Sequence, residues 1–170
     1  MVRLFFISLT LSLIPFKAAN ATNKKSNQER VIHVCKRGDS PSKALACNMV
    51  LEAGGEGKLG MLAVGFVTIN RKKDSTKFPN TVAEVVYQEK QFSWTIKGHK
   101  KVKDRVVWES ANEISNMLEM LQKFPPLYRA IDPTHGATYY HRSTIRPHWS
   151  KCFIKTSGIK NHIFYKRSTR

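Results

Sequence analysis

The residues best equipped for chemistry lie in one short run, Leu51-Glu52-Ala53-Gly54-Gly55-Glu56-Gly57. Glu52 falls at the end of a predicted helix, where the macrodipole disfavours negative charge. It shares a helix face with Leu45 and Met49, at spacing i, i+4, i+7. Apolar neighbours and the dipole both push a carboxyl towards its protonated form. A protonated carboxyl at working pH is what a general acid needs to be. Gly54 and Gly55 leave room for a bulky ligand to approach the backbone. The plainer reading of the same residues is a solvated Glu at a helix end, followed by a glycine turn.

Glu56 stands four residues after Glu52, which on an unbroken helix would pair two carboxyls as in a retaining glycosidase. The Gly54-Gly55 pair makes an unbroken helix improbable, so Glu56 reads as a cap or structural ligand of the turn. That leaves one acid. One acid suits a lytic mechanism, in which a hydroxyl of the substrate takes the place of water.

The elements that must position Glu52 follow from local signals. Ser40 is a predicted N-cap and Pro41 a first helical residue, so a helix is expected over 41–53, ended by Gly54-Gly55 in a left-handed turn. A second helix over 58–72 is apolar most of the way round and is expected to be central. Thr81 and Glu84 have capping-box spacing for a short helix. Residues 91–95 read as extended or irregular, and 97–105 as a basic loop: either a solvated face or an anion-binding patch. A long helix is expected over 106–124, stopped by Pro125-Pro126. Short aromatic and β-branched segments at 137–141, 153–156 and 163–166 predict a small sheet. Helices first and strands last give an α+β fold.

The chain has 170 residues, enough for one core and not for two full domains. A 41% hydrophobic content argues against a wholly disordered chain. The formal charge of +17 favours an anionic partner without choosing among nucleic acid, membrane and wall polymer. Arg3, the apolar run 4–16 and Ala19-Asn20-Ala21 follow the order of a cleaved export signal over 1–21. Residues 22–40 read as a polar linker and lead-in, and 41–170 as the folded domain. Export would place the chain in the periplasm, the wall or outside the cell, with no membrane span left after cleavage. In an oxidising compartment Cys35 and Cys47 are expected to pair, with Cys152 left over; alternatively Cys47 packs as a small apolar residue. No C-x-x-C or H-x-x-x-H spacing is present, so neither a metal nor a cofactor is expected.

Several pieces of the chain carry a family likeness. Glu52-Ala53-Gly54-Gly55-Glu56 with the later Ile69-Asn70-Arg71 resembles the E-A-x-G-E … L-N-R segment of SleB/CwlJ-type cell-wall hydrolases. Phe78-Pro79-Asn80-Thr81-Val82, Gln91-Phe92-Ser93-Trp94, Asp132-Pro133-Thr134-His135-Gly136-Ala137, Tyr139-Tyr140-His141, Trp149 and the closing Gly158 … His162-Ile163-Phe164-Tyr165 continue it in the family's order. The resemblance implies a compact lysozyme or lytic-transglycosylase-like domain, with N-terminal helices, a small C-terminal antiparallel sheet and peptidoglycan glycan strands as substrate. It implies that Glu52 protonates the oxygen between N-acetylmuramic acid and N-acetylglucosamine, then accepts the proton of the muramyl 6-hydroxyl. It also implies a milder loop after Trp94 than the basic one found here.

For such a substrate, Gln91, Ser93, Trp94, Tyr139 and Tyr140 offer the aromatic faces and polar groups that sugars require; core packing is the rival reading for the aromatics. Adjacent strand residues point to opposite faces, so one of Tyr139 and Tyr140 at most should face a groove. Phe92 and Phe164 read as core. His135, His141, His148 and His162 read as structural or sugar-binding. The rival to an enzyme is a non-catalytic cationic wall-binding module, with other anionic wall polymers as further partners. No nucleic-acid-binding motif is present.

Overall fold

The computed structural model describes residues 32–168. The predicted export signal at 1–21 lies outside them, as does most of the predicted linker. Among the described residues no helix is long and apolar enough to cross a membrane.

Helix α1 (Pro41–Ala53) starts as its sequence dictates, with the Ser40 hydroxyl accepting from Lys43 N. Its apolar face, Leu45 and Met49 included, is fully buried. Helix α2 (Gly57–Lys73) runs through the middle of the molecule, with most residues from Gly60 to Arg71 buried. Helix α3 (Val82–Tyr87) is capped by Thr81, which accepts from Glu84 N at 3.2 Å. Helix α4 (Arg105–Leu121) packs on both α1 and α2 and is capped by Asp104, whose Oδ1 accepts from Val107 N. Each cap is worth about 1 kcal/mol, whereas burying one side chain such as Phe66, Leu45 or Leu118 contributes roughly 1.5–3 kcal/mol. The α1–α2–α4 core therefore dominates the stability of this half.

Four expectations are corrected. The turn after α1 is not left-handed at Gly54: Gly54 has φ −57° and opens a 3-10 turn, Gly54–Glu56, and the positive φ falls on Gly57 at 74°. A Cβ at Gly54 would make a tight contact, 3.1 Å, with Val107 Cγ1. The 91–95 stretch enters a 3-10 turn, Ser93–Lys97. The basic segment is not a loop, since strand β2 (His99–Val102) pairs antiparallel with strand β1 (His33–Lys36). Finally, α4 ends at Leu121, and Pro125 starts a further helix, α5 (Pro125–Ile131). Proline has no N–H to lose at a first helical position, which suits Pro125 to open α5.

A disulfide joins Cys35 of β1 to Cys47 of α1, and Cys152 is free and exposed. The C-terminal sheet has the order β3-β5-β4, all antiparallel, from β3 (Tyr139–Arg142), β4 (Ile154–Ile159) and β5 (His162–Lys166). Its two faces differ. Phe164, with Ala63 and Val67 of α2, forms a small core beneath one face. On the other, Tyr139, His141, Trp149, Phe153 and Tyr165 make a chain of ring contacts between 4.6 and 5.8 Å.

Candidate active site

The site forms where the end of α1 meets the sheet. A cleft of about 480 Å³ is lined by Glu52, the glycine turn, Glu56, Arg142, Thr144 and Asn161, among others. The Glu52 side chain leaves the last turn of α1 half-buried, and the Tyr140 hydroxyl of β3 donates to its Oε2 at 3.0 Å. Burial raises the Glu52 pKa from its ordinary value, outweighing the opposing effects of the Tyr140 hydrogen bond and of nearby His162, Arg71 and Arg142. The carboxyl faces the cleft, and its burial favours the protonated form.

Glu56 is occupied elsewhere. Its carboxylate accepts from His162 Nδ1, at 3.1 Å to Oε1 and 3.2 Å to Oε2, and from Asn161 N at 3.4 Å. This contact joins the start of α2 to the turn between β4 and β5. It needs Gly60, because a Cβ at that position would lie 2.5 Å from Glu56 Cβ.

The sheet is held in place from α2. Asn70 Nδ2 donates to Asp132 Oδ2 at 2.9 Å and to Ala137 O at 3.1 Å, while Tyr128 OH donates to Asn70 Oδ1. Asp132 also accepts from Thr134 N, Thr134 Oγ1 and Gly136 N. Arg71 Nε donates to Thr138 O at 2.7 Å, and its guanidinium lies over the rings of Phe78, Phe92 and Tyr139. The Asp132–Thr138 loop is thereby clamped, and with it the strand that carries Tyr140 to Glu52. Burial lowers the Arg71 pKa, and the nearby Tyr140, Tyr139 and Glu52 oppose the shift.

The structure does not bring all the sequence candidates together. Tyr140 meets Glu52, whereas Tyr139 lies on the opposite face in the aromatic chain, as strand alternation requires. Trp94 is a core residue: it is buried, donates Nε1–H to Asn48 Oδ1 at 3.0 Å and meets Tyr87 edge-on. Gln91 is half-buried and Ser93 exposed, and neither lines the cleft. Phe92 and Phe164 are buried. His141 is buried against Tyr165 OH and the Arg142 carbonyl; His135 and His148 are exposed. Among the described residues no three His, Cys, Asp or Glu side chains gather as a group able to hold a metal.

Arg142, Thr144 and Asn161 of the cleft were not among the sequence candidates. No local signal marks them, since they reach Glu52 only through the pairing of β3 with β5. Arg71 and Gly60 had a signal, the Asn70-Arg71 pair and a glycine inside a helix, without a role attached to either.

The sequence pattern of the Cell Wall Hydrolase family matches residues 55–165, a span that includes Glu56, Arg71 and Tyr140 and begins just after Glu52. Two solved structures are similar over nearly their whole length. The catalytic domain of the germination-specific lytic transglycosylase SleB from Bacillus anthracis is 25% identical, with a TM-score of 0.56 over 76% of this chain and 98% of that one. The catalytic domain of the Bacillus cereus SleB protein is also 25% identical, with a TM-score of 0.53 over 78% of this chain and 95% of that one. No curated protein matches the chain.

Proposed function

The chain belongs to the Cell Wall Hydrolase family, and from that premise we propose that it is a lytic transglycosylase in which Glu52 is the single acid and base. The observation that carries this reading is the contrast between the two carboxyls of the cleft. Glu52 is pushed towards its protonated form and faces open space, whereas the oxygens of Glu56 are taken by His162 and Asn161. The likeness to a SleB described as a lytic transglycosylase supports the same chemistry.

The substrate is the bond from C1 of N-acetylmuramic acid to O4 of N-acetylglucosamine in peptidoglycan. Glu52 gives its proton to that oxygen as the C1–O4 bond breaks. The resulting carboxylate takes the proton of the muramyl 6-hydroxyl while O6 bonds to C1. The carboxyl ends as it began, and the glycan ends as a 1,6-anhydro ring with no water consumed. Tyr140 orients the carboxyl by holding Oε2, which leaves Oε1 for the substrate. The export signal at 1–21 agrees with a site of action outside the cytoplasm.

Mass spectrometry of muropeptides released from purified peptidoglycan tests the reading. The wild type should release anhydromuramic ends, each one water lighter than its hydrolysed counterpart. Glu52→Gln keeps the shape but cannot donate a proton, so release should fall by about 10²–10⁴-fold while the protein still folds. Reducing ends in place of anhydro ends would point to hydrolysis and a second carboxylate. Near-normal release by Glu52→Gln would remove Glu52 from the acid's role. A wild type that binds walls and releases nothing would be a binding module.

A further inference from the structure

We propose that Arg142 makes the cleft select glycan whose muramyl unit presents a carboxylate beside the scissile bond, an inference that rests on the catalytic reading above. The placement comes from strand geometry. Tyr140 and Arg142 are two residues apart on β3 and so point to one face; they lie opposite Phe164 and His162 of β5. Tyr140 reaches Glu52 from that face, and Arg142 lines the cleft one step further along.

The charges there are unbalanced. Burial pushes the Glu52 carboxyl towards its neutral form while Tyr140 OH donates to its Oε2, and Glu56 is bound by His162 and Asn161 N. None of the ion pairs among the described residues includes Arg142. Among the described residues Arg142 therefore has no carboxylate at ion-pair distance, and its planar donor fork suits a carboxylate better than a neutral sugar. The charge of Arg142 also acts on Glu52, pulling its pKa down. An anion seated on Arg142 would cancel that pull and favour the protonated acid when the right glycan is bound.

Muramic acid supplies such an anion in two ways. Its lactyl group is a free carboxylate where no peptide is attached, and where a peptide is attached the stem carries carboxylates of its own. Both sources have the same chemistry, and two substrates separate them.

Equilibrium binding is measured with the Glu52→Gln protein, so that the glycan is not consumed. The ligands are peptide-free glycan and stem-bearing glycan, each beside a copy whose carboxylates are capped as methylamides. Preference for the anionic over the capped form is expected to be on the order of tenfold for at least one pair, and the pair that shows it identifies the source. Adding Arg142→Gln should bring that ratio to about one, and Arg142→Lys should keep part of it. Arg142 is exposed and outside every side-chain ion pair of the described residues, so its replacement leaves the fold intact; thermal unfolding checks this. Lys123→Gln, the same charge change away from the cleft, should keep the ratio. No preference in the parent protein, a preference that survives Arg142→Gln, or an equal loss in Lys123→Gln overturns the inference. The catalytic reading fails separately, if the wild type releases no anhydromuramic ends.

Discussion

The Tyr140 hydroxyl donates to Oε2 of Glu52, the proposed acid, at 3.0 Å. The hydrogen bond stabilises the ionised carboxyl and so opposes the burial that raises its pKa. Tyr140→Phe removes that opposition, and the Glu52 pKa should rise further. A general acid is lost as pH climbs through its pKa, so the alkaline limb of kcat/KM should move to higher pH in Tyr140→Phe. A limb that stays in place or moves down would mean that Tyr140 does not act on the acid. Stability has its own sign. Because the folded pKa lies above the unfolded one, this carboxyl contributes stability below the ordinary glutamate range, and the contribution is lost as pH rises through the folded value. Glu52→Gln does not titrate. Its stability relative to wild type should therefore grow across that window and level off above it, as read by urea unfolding at a series of pH values.

Among the elements, α2 bears the tightest constraints, because it touches α1, α4 and the sheet together. Gly65 lets it approach α1 and α4: a Cβ there would meet Leu118 Cδ1 at 2.6 Å and Met49 Sδ at 2.8 Å. Gly60 makes room for Glu56, whose Cβ would stand 2.5 Å from an added Cβ. Gly60→Ala is expected to cost about 1–3 kcal/mol, since the atom in the way is not the free end of a flexible chain. Gly55→Ala meets nothing within 4 Å and should change stability by less than ~0.5 kcal/mol. Thermal or urea unfolding of the two variants separates them. Equal costs would mean that Glu56 yields readily and that its link to His162 is not a rigid joint. The disulfide acts at the same scale, tying the β1–β2 ribbon to the helix that carries Glu52.

At the scale of the whole molecule, the outstanding feature is a formal net charge of +17. The excess of 29 Lys and Arg over 12 Asp and Glu favours a polyanion as partner. Strand β2 displays part of that excess in fixed form, with Lys101 and the following Lys103 exposed and Val102 turned into the core. Replacing Lys100, Lys101 and Lys103 by Gln should weaken binding to isolated walls at low salt. The difference should shrink as salt rises, because the screening length falls to about 10 Å at 0.1 M and 3 Å at 1 M. Identical salt curves for the two proteins would make β2 an ordinary solvated edge.

What the sequence alone determined is what neighbouring residues decide between themselves. Ser40-Pro41 and Thr81 with Glu84 are local backbone chemistry, and they predict the starts of α1 and α3 to the residue. The spacing of Leu45, Met49 and Glu52 is helix geometry, and it places Glu52 at the edge of the core before any contact is known. Alternation along 139–141 likewise requires Tyr139 and Tyr140 to part company. Which of the two faces Glu52 is another matter, because it depends on how β3 sits against α2, and that is set by Asn70 and Arg71 gripping a loop more than 60 residues away. Trp94 looked equally fit for a groove or a core, and only the position of Asn48 on α1 decided for the core. The partner of Glu56 lies 106 residues further on, and Arg142 enters the cleft through strand register. Such pairings carry no periodic signal, for they are made by the packing of segments whose separation along the chain says nothing of their distance in space.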